Sequence, residues 1–386
     1  MSAGKSKIVF KIMKIIVVFG TRPEAIKIAP LIKELKKYPK RFDTIVCLSA
    51  QHRDMADQVL NSFGFSVDYD LNIMSDNQKI NKIIYLALKG LEKIFIKEKP
   101  DVVIIQGDTT TSFSAALAAY YQGILVFHVE AGLRTYQRFS PFPEEINRQL
   151  ITRLSNFHFA PTKQAKNNLI KEGVSRKDII VTGNTVIDSL AMALKYLKSR
   201  KKSNSQTVAF NKRKKLVIVT LHRREKFGKE LISICKALKE LIKIYPEIEI
   251  IFPVHPNPNV KLTVKKIFKN VSRVKLASPL NYFDFVSLLS KAYLIITDSG
   301  GIQEEAASLG KPVLICRDFT ERPEIVEAGL GFLVGSDKEK IIAVFKKLMN
   351  KKYYSRLSKP LKVYGDGHAS RIIVNKIKQL KYAKNN

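Results

Sequence analysis

The feature that most constrains this chain is a repeated couple: a short unbroken apolar run, a polar or glycine-bearing turn, then apolar residues at helical spacing. Ile15–Phe19 is the first run, and Ala25, Ile28, Ala29, Ile32 and Leu35 follow it, with Pro23 where a first helical turn tolerates proline. A strand buried on both faces reads as a continuous apolar run, and the helix beside it carries one apolar stripe. The pattern predicts further strands at Thr44–Leu48, Val102–Ile105, Leu125–Val129 and Ile179–Val181. Helices are predicted from Met55 onward, over Ser112–Tyr121 and over Val186–Leu197. Periodicity lapses between Arg200 and Lys215, where charge and polarity rise. It then restarts with strands at Leu216–Thr220, Ile248–Pro253, Val274–Leu276, Leu294–Thr297 and Val313–Cys316, and a helix over Lys229–Ile244. Strands alternating with helices predict parallel sheets built from right-handed βαβ units. At 386 residues the chain exceeds one typical core of ~100–150 residues. The reading is therefore α/β, with two doubly wound domains and an interdomain cleft. The expected segments are a first domain at 1–199, a linker at 200–215, a second domain at 216–365, and a final helix within 366–386 that packs back on the first domain.

Composition narrows the partners. Lys and Arg number 67 against 34 Asp and Glu, a formal net charge of +33. Such a surplus suits nucleic acid, an anionic membrane surface, an anionic small substrate, or simply a lysine-rich solvated surface. The lysines scatter along nearly every helix (Lys33, Lys36, Lys37; Lys236, Lys239, Lys243) and form no stripe. No zinc-finger or RNA-recognition signature accompanies them. The solvated surface is the favoured reading, and nucleic acid is not expected as a partner. Cys47, Cys235 and Cys316 form no CxxC pair and sit in apolar stretches, as buried thiols do in a reducing, cytoplasmic compartment. No apolar run approaches the ~18 residues of a membrane span. Ile8–Phe19 resembles a signal core, but Lys11 and Lys14 interrupt it and no small-residue cleavage site follows. A first strand with a short leader is expected, with Met13 an alternative start.

Polar clusters fall at the carboxyl ends of the expected strands, where doubly wound sheets bind ligands. Gly20-Thr21-Arg22-Pro23-Glu24, with Lys27 one turn on, offers a tight turn, a helix N-terminus and two cations. It reads equally as a plain βα turn with solvated charges. Asp108, in Gln106-Gly107-Asp108-Thr109, reads as a site carboxylate or as an N-cap at even odds. Glu130 ends a buried strand, which is costly unless the carboxylate is paired or functional. Glu144 and Glu145 open a helix, where acids are common dipole partners. Acids from three such ends nevertheless suit general acid–base work. His222 stands at a strand end beside Arg223 and Arg224, which suits an anion. His222 with His255 lacks metal-ligand spacing. The sharpest local signal is Thr297-Asp298-Ser299-Gly300-Gly301, a strand, turn and helix start whose bare N–H groups suit phosphate, with Glu305 one turn inside and Arg322 beyond the next strand.

Together these segments resemble the non-hydrolysing UDP-N-acetylglucosamine 2-epimerases, over nearly the whole chain from Lys14 to Ala369. The resemblance rests on Gly20-Thr-Arg-Pro-Glu-Ala-Ile-Lys27, Ala50-Gln-His-Arg53, Gly107-Asp-Thr-Thr-Thr111 and His128-Val-Glu-Ala-Gly-Leu-Arg-Thr135. It continues through Pro143-Glu-Glu-Ile-Asn-Arg148, Thr182-Gly-Asn-Thr185, His222-Arg-Arg-Glu225, Pro253-Val-His255, Asp298-Ser-Gly-Gly-Ile-Gln-Glu-Glu305 and Glu321-Arg-Pro-Glu324. It implies two Rossmann-like domains of the glycosyltransferase-B type and inversion at C2 of UDP-N-acetylglucosamine through a 2-acetamidoglucal. That product would supply cell-surface polysaccharide synthesis. No redox cofactor and no metal are implied.

By this resemblance Asp108, Glu130 and Glu144 are the acid–base carboxylates, and His222 touches the leaving diphosphate. Arg22 and Lys27 meet the diphosphate or the sugar. Phe285 lies near uracil. Ser299, Gly300, Gly301 and Glu305 take diphosphate and ribose, with Arg322 beside them. Gln51, Arg53 and His255 match the surroundings of a second UDP-N-acetylglucosamine that acts as activator in some members, and a homodimer is implied. Gln106 stands where many members have His, Ala307 replaces a frequent Pro, and Leu280 occupies a position polar in some relatives. A hydrolysing epimerase, a UDP-sugar glycosyltransferase of the same fold and a charge-driven nucleic-acid binder are the competing readings. The first is disfavoured by the Gly107–Thr111 and Val129–Arg134 segments.

Overall fold

The computed structural model describes residues 12–49, 59–60, 62–73, 75, 78–199, 208–221, 228–255 and 257–380. The chain divides into two compact units, Met1–Thr185 with His368–Asn386, and Val186–Gly367. The helix Thr185–Ser199, expected with the first block, groups almost wholly with the second unit. Of the expected linker, residues 200–207 lie outside the described residues, and Lys215 already opens a strand.

The first unit holds a fully parallel sheet of seven strands. They are β1 (Met13–Phe19), β2 (Phe42–Leu48), β3 (Tyr69–Asp70), β4 (Val102–Gln106), β5 (Leu125–Val129), β6 (Phe157–Ala160) and β7 (Ile179–Val181), in the order β3-β2-β1-β4-β5-β6-β7. The central strands bury Ile16, Val18, Val103 and Ile105 against Ala87, Leu91 and Phe95 of the helix Ile80–Glu98. Ala115, Ala116 and Ala119 of the helix Thr110–Tyr121 complete that layer, their small side chains letting the helix lie close. Each Val, Ile, Leu or Phe side chain so buried contributes about 1.5–3 kcal/mol. The final helix, Ala369–Gln379, returns to pack on the helix Arg22–Leu35.

The second unit repeats the design with six parallel strands. They are β8 (Lys215–Thr220), β9 (Ile248–Pro253), β10 (Val274–Ala277), β11 (Leu294–Thr297), β12 (Val313–Ile315) and β13 (Gly331–Leu333), ordered β10-β9-β8-β11-β12-β13. Val217, Val219, Ile250, Phe252, Leu294 and Ile296 form its core with Leu238, Leu241 and Phe345. Both sheets start at a middle strand, run outward, and return to the other side. The strand order therefore reverses between β1 and β4 and between β8 and β11, the switch points at whose carboxyl ends doubly wound sheets bind ligands.

Most expected strands fall within one or two residues of the observed ones. β3, β6 and β13 were not expected: two are only two or three residues long, and His158 interrupts the apolar run of β6. The helix expected from Met55 falls largely outside the described residues, whereas Ile80–Glu98 is a long helix. All three cysteines are buried thiols, and burial pushes Cys47 and Cys235 up to about 12. Among the described residues no helix is long and apolar enough to cross a membrane.

Two histidines face each other across the sheet, His128 on β5 and His158 on β6, in register and edge to face. Burial pushes His128 down to about 3, helped by His158 and Arg134 and opposed by its contact with the Gly107 carbonyl and by Asp108. Burial and Arg134 push His158 down to about 4, opposed by Glu172. Both folded values lie below the unfolded value of about 6.5, so the unfolded chain binds protons first as pH falls. Their contribution is complete above about pH 6.5 and is lost toward pH 4 and 3. The melting temperature is expected to hold from pH 8 to 7 and fall between pH 6.5 and 5, less steeply in His158→Phe. Identical slopes in both proteins would remove the pair as the cause.

Candidate active site

In the first unit the turns after β1 and β4 are tied together by one buried carboxylate. Thr21 N-caps the helix Arg22–Leu35 in a capping box with Glu24. Glu24 Oε2 accepts from the backbone N–H of Gly20 at 3.1 Å and of Thr21 at 2.7 Å. Its Oε1 accepts from Thr109 Oγ1 at 2.7 Å and Ser112 Oγ at 2.9 Å, in the turn after β4. Burial pushes the Glu24 carboxyl above the usual range, and these four bonds oppose it. Gly20 allows the close approach, because a Cβ there would lie 2.3 Å from Ser49 Oγ and 2.4 Å from Thr111 Oγ1. Arg22, half-buried, opens the helix beyond this turn.

Asp108 is not the cap of the next helix. Thr109 is, accepting from the Ser112 N–H, so Asp108 is released for another task. Its carboxylate pairs with Arg148 Nη2 at 2.5 Å and remains about one-quarter exposed, at 23%. Its carbonyl accepts from Asn147 Nδ2 at 3.0 Å, and the preceding Gly107 carbonyl is in contact with His128 Nε2 at 2.7 Å. Neutral His128 therefore donates there, and three partners hold this turn.

Glu130 leaves β5 in the left-handed region, at φ +67°. Few non-glycine residues adopt it, and such outliers gather at functional sites. Lys27 Nζ donates to Glu130 Oε1 at 2.7 Å and Oε2 at 2.6 Å, and both side chains are almost fully buried. Gln106 Nε2 donates to Oε2 at 2.7 Å and Asn184 Nδ2 at 3.2 Å. Lys27, expected against a ligand, is thus engaged by a carboxylate. Gly132, at φ +90°, lets the segment after Glu130 lie on the helix Lys163–Lys171, since a Cβ would come within 2.2 Å of the Ala165 carbonyl oxygen.

The two acids that open the helix Glu144–Leu154 have separate tasks. Glu145 is fully buried and accepts from Thr135 N–H, Thr135 Oγ1 and Tyr136 N–H, all at 3.0 Å. Glu144 stands at the helix start, only half-buried.

In the second unit Thr297 ends β11, and its hydroxyl accepts from the Ser299 N–H at 3.0 Å. Ser299 and Gly301 are half-exposed at the start of the helix Gly300–Ser308, a helix N-terminus where an anion is favoured, and the Ser299 N–H is already engaged by Thr297. Gly300 has a different cause. A Cβ there would lie 2.3 Å from Arg322 Nη1 and 2.6 Å from Cζ. Arg322 is 3% exposed; its Nε donates to Glu304 Oε1 at 2.7 Å and its Nη1 to Glu321, which also takes Arg317 Nη1 at 2.6 Å. Arg322, expected at a ligand, is engaged by two acids beneath the glycine turn. Glu305, 4% exposed, accepts from the Tyr282 hydroxyl at 2.8 Å. Phe285 is half-buried on the helix Tyr282–Lys291. His255 accepts from the Asn257 N–H at Nδ1, 3.2 Å away. His222, Gln51 and Arg53 lie outside the described residues.

Residue type and spacing alone do not single out Glu24, Gln106, Asn147, Arg148, Asn184 and Tyr282, which the structure places against the candidate acids and their turns. The register could have exposed Gln106, since it lies opposite Val129, the neighbour of Glu130.

A family model for UDP-N-acetylglucosamine 2-epimerase matches residues 33–378. The chain belongs to that family. A UDP-N-acetylglucosamine 2-epimerase of Campylobacter jejuni is 48% identical over 372 residues, 94% of this chain and 97% of the relative. The crystal structure of the Neisseria meningitidis UDP-GlcNAc 2-epimerase bound to UDP-GlcNAc superposes with a TM-score of 0.93 at 48% identity, over 95% of this chain and all (100%) of that one. The Methanocaldococcus jannaschii enzyme in complex with UDP-GlcNAc and UDP gives 0.85 at 37% identity, over 95% and 100%.

Proposed function

We propose that this chain inverts C2 of UDP-N-acetylglucosamine, giving UDP-N-acetylmannosamine by elimination and re-addition of UDP. A carboxylate removes the C2 proton, the C–H electrons form the C1=C2 bond of 2-acetamidoglucal, and UDP leaves with the C1–O pair. UDP oxygen then re-forms the bond to C1 while a second acid delivers a proton to the opposite face of C2. Such a reaction needs two carboxylates in unlike surroundings and donors for the diphosphate.

The observation that carries the reading is the pair Asp108 and Glu130 at the ends of adjacent strands, one on Arg148 and partly exposed, the other buried on Lys27. Glu144 joins them as the third acid. Lys27 acts through Glu130. The N–H groups of Gly300 and Gly301 and the Ser299 hydroxyl take the diphosphate, and Glu305, steadied by Tyr282, takes the ribose. The UDP-GlcNAc bound in the Neisseria meningitidis relative supports the choice of sugar nucleotide.

A proton NMR time course with UDP-N-acetylglucosamine in D2O tests this. The expected result is growth of UDP-N-acetylmannosamine with deuterium at C2. Free UDP with free N-acetylmannosamine would replace the reading with a hydrolysing one, and an unchanged spectrum would remove the substrate.

A further inference from the structure

The centre of the carboxylate network holds a residue that the reading above leaves without a task. Gln106 is the last residue of β4 and is 2% exposed. Its register partner is Val129, so its side chain stands beside the residue that follows, Glu130. Glu130 has turned off the strand line into the left-handed region and carries three rotatable side-chain bonds. A carboxylate in that position acts on a proton efficiently only if its orientation is held.

Lys27, Gln106 and Asn184 hold it. Lys27, from the helix after β1, grips both oxygens, as a point charge does without preferring one. Gln106 and Asn184, from the ends of β4 and of the turn after β7, both donate to Oε2. The amides therefore distinguish the two oxygens where the ammonium does not. An ionised carboxylate only accepts, which assigns Gln106 Nε2 as the donor. An amide also keeps its donor at every pH and brings no charge beside Lys27.

We propose that Gln106 is a positioning residue for Glu130: from the end of β4 it fixes the rotation of the carboxylate with a donor that does not titrate. This rests on Glu130 acting on the C2 proton.

The test compares wild type, Gln106→Leu and Gln106→His for C2 exchange of UDP-N-acetylglucosamine in D2O, with melting temperatures alongside. Gln106→Leu removes the donor at similar volume, and its kcat is expected to fall roughly 10–100-fold while KM changes little. Gln106→His restores a ring donor but one that titrates, adding positive charge beside Lys27 and Glu130 when protonated. Its kcat is expected to recover toward wild type at pH 8 and to gain an inflection below about pH 7 that wild type lacks, since burial and Lys27 lower the ring's pKa while Glu130 opposes them. A purely structural role would lower the melting temperature without adding that inflection. If Gln106→Leu fails to fold, the Gln106→His profile decides alone. An unaltered kcat in folded Gln106→Leu, or a Gln106→His profile superimposable on wild type, overturns the proposal. A wild type that exchanges nothing overturns the epimerase reading and this inference with it.

Discussion

Glu130→Gln is expected to slow C2 proton exchange by about 10²–10⁴-fold, the usual worth of a positioned general acid or base. The substitution is nearly isosteric, so the loss comes from chemistry. The carboxylate oxygens now receive Lys27, Gln106 and Asn184. A glutamine offers one oxygen to those donors and turns an NH2 toward the rest. Lys27, 8% exposed, loses its counter-charge. Breaking a buried pair from one side costs about 3–5 kcal/mol, so stability falls together with activity. The two effects separate in Lys27→Met/Glu130→Gln, which removes both charges. That double variant is expected to regain stability and stay inactive, as read by thermal melting and NMR exchange. UDP affinity should change little in the single variant. Full exchange by folded Glu130→Gln would take Glu130 out of the acid–base set.

Arg322→Ala is expected to act on stability first. Arg322 neutralises Glu304 and Glu321 while only 3% exposed, and Arg317 also serves Glu321. Without Arg322, Glu304 keeps a buried charge that has lost a guanidinium. The expected cost of about 3–5 kcal/mol lowers the melting temperature of a unit this size by roughly 6–20 °C. Gly300 is glycine because that guanidinium lies directly behind it, so a cavity also opens under the turn that receives the diphosphate in the proposed function. Nucleotide affinity then falls because the turn sags. Scanning calorimetry with and without UDP distinguishes the cases. An unchanged melting temperature with lost UDP affinity would return Arg322 to direct ligand contact.

Much of the molecule was legible because it rests on local rules. Buried parallel strands must be apolar throughout, so β5, β7, β9 and β11 were read to the residue. The strands that were missed were short, or interrupted by a polar residue such as His158, whose burial as a neutral ring no local pattern signals. The candidate acids were found because a carboxylate ending an apolar run is physically expensive. Their neighbours were not, since Asn184 lies 54 residues from Glu130 in the chain.

What the sequence by itself determined is the alternation of strands and helices, their parallel pairing, and the placing of Gly20–Arg22, Gln106–Thr111, Glu130–Arg134 and Thr297–Gly301 at strand ends. Periodicity, capping and glycine geometry act over a few residues, and a linear text records them. The tertiary structure decided which charge meets which. Lys27 lies 103 residues before Glu130 yet grips it, and Thr109 takes the cap that leaves Asp108 to Arg148. Glu145 and Glu144, adjacent in the chain, divide into a buried brace and a half-exposed acid. These choices depend on which strand ends the doubly wound topology brings side by side and on the water excluded between them. A buried charge is governed by what surrounds it in space, and the chain assembles those surroundings only when the sheet closes.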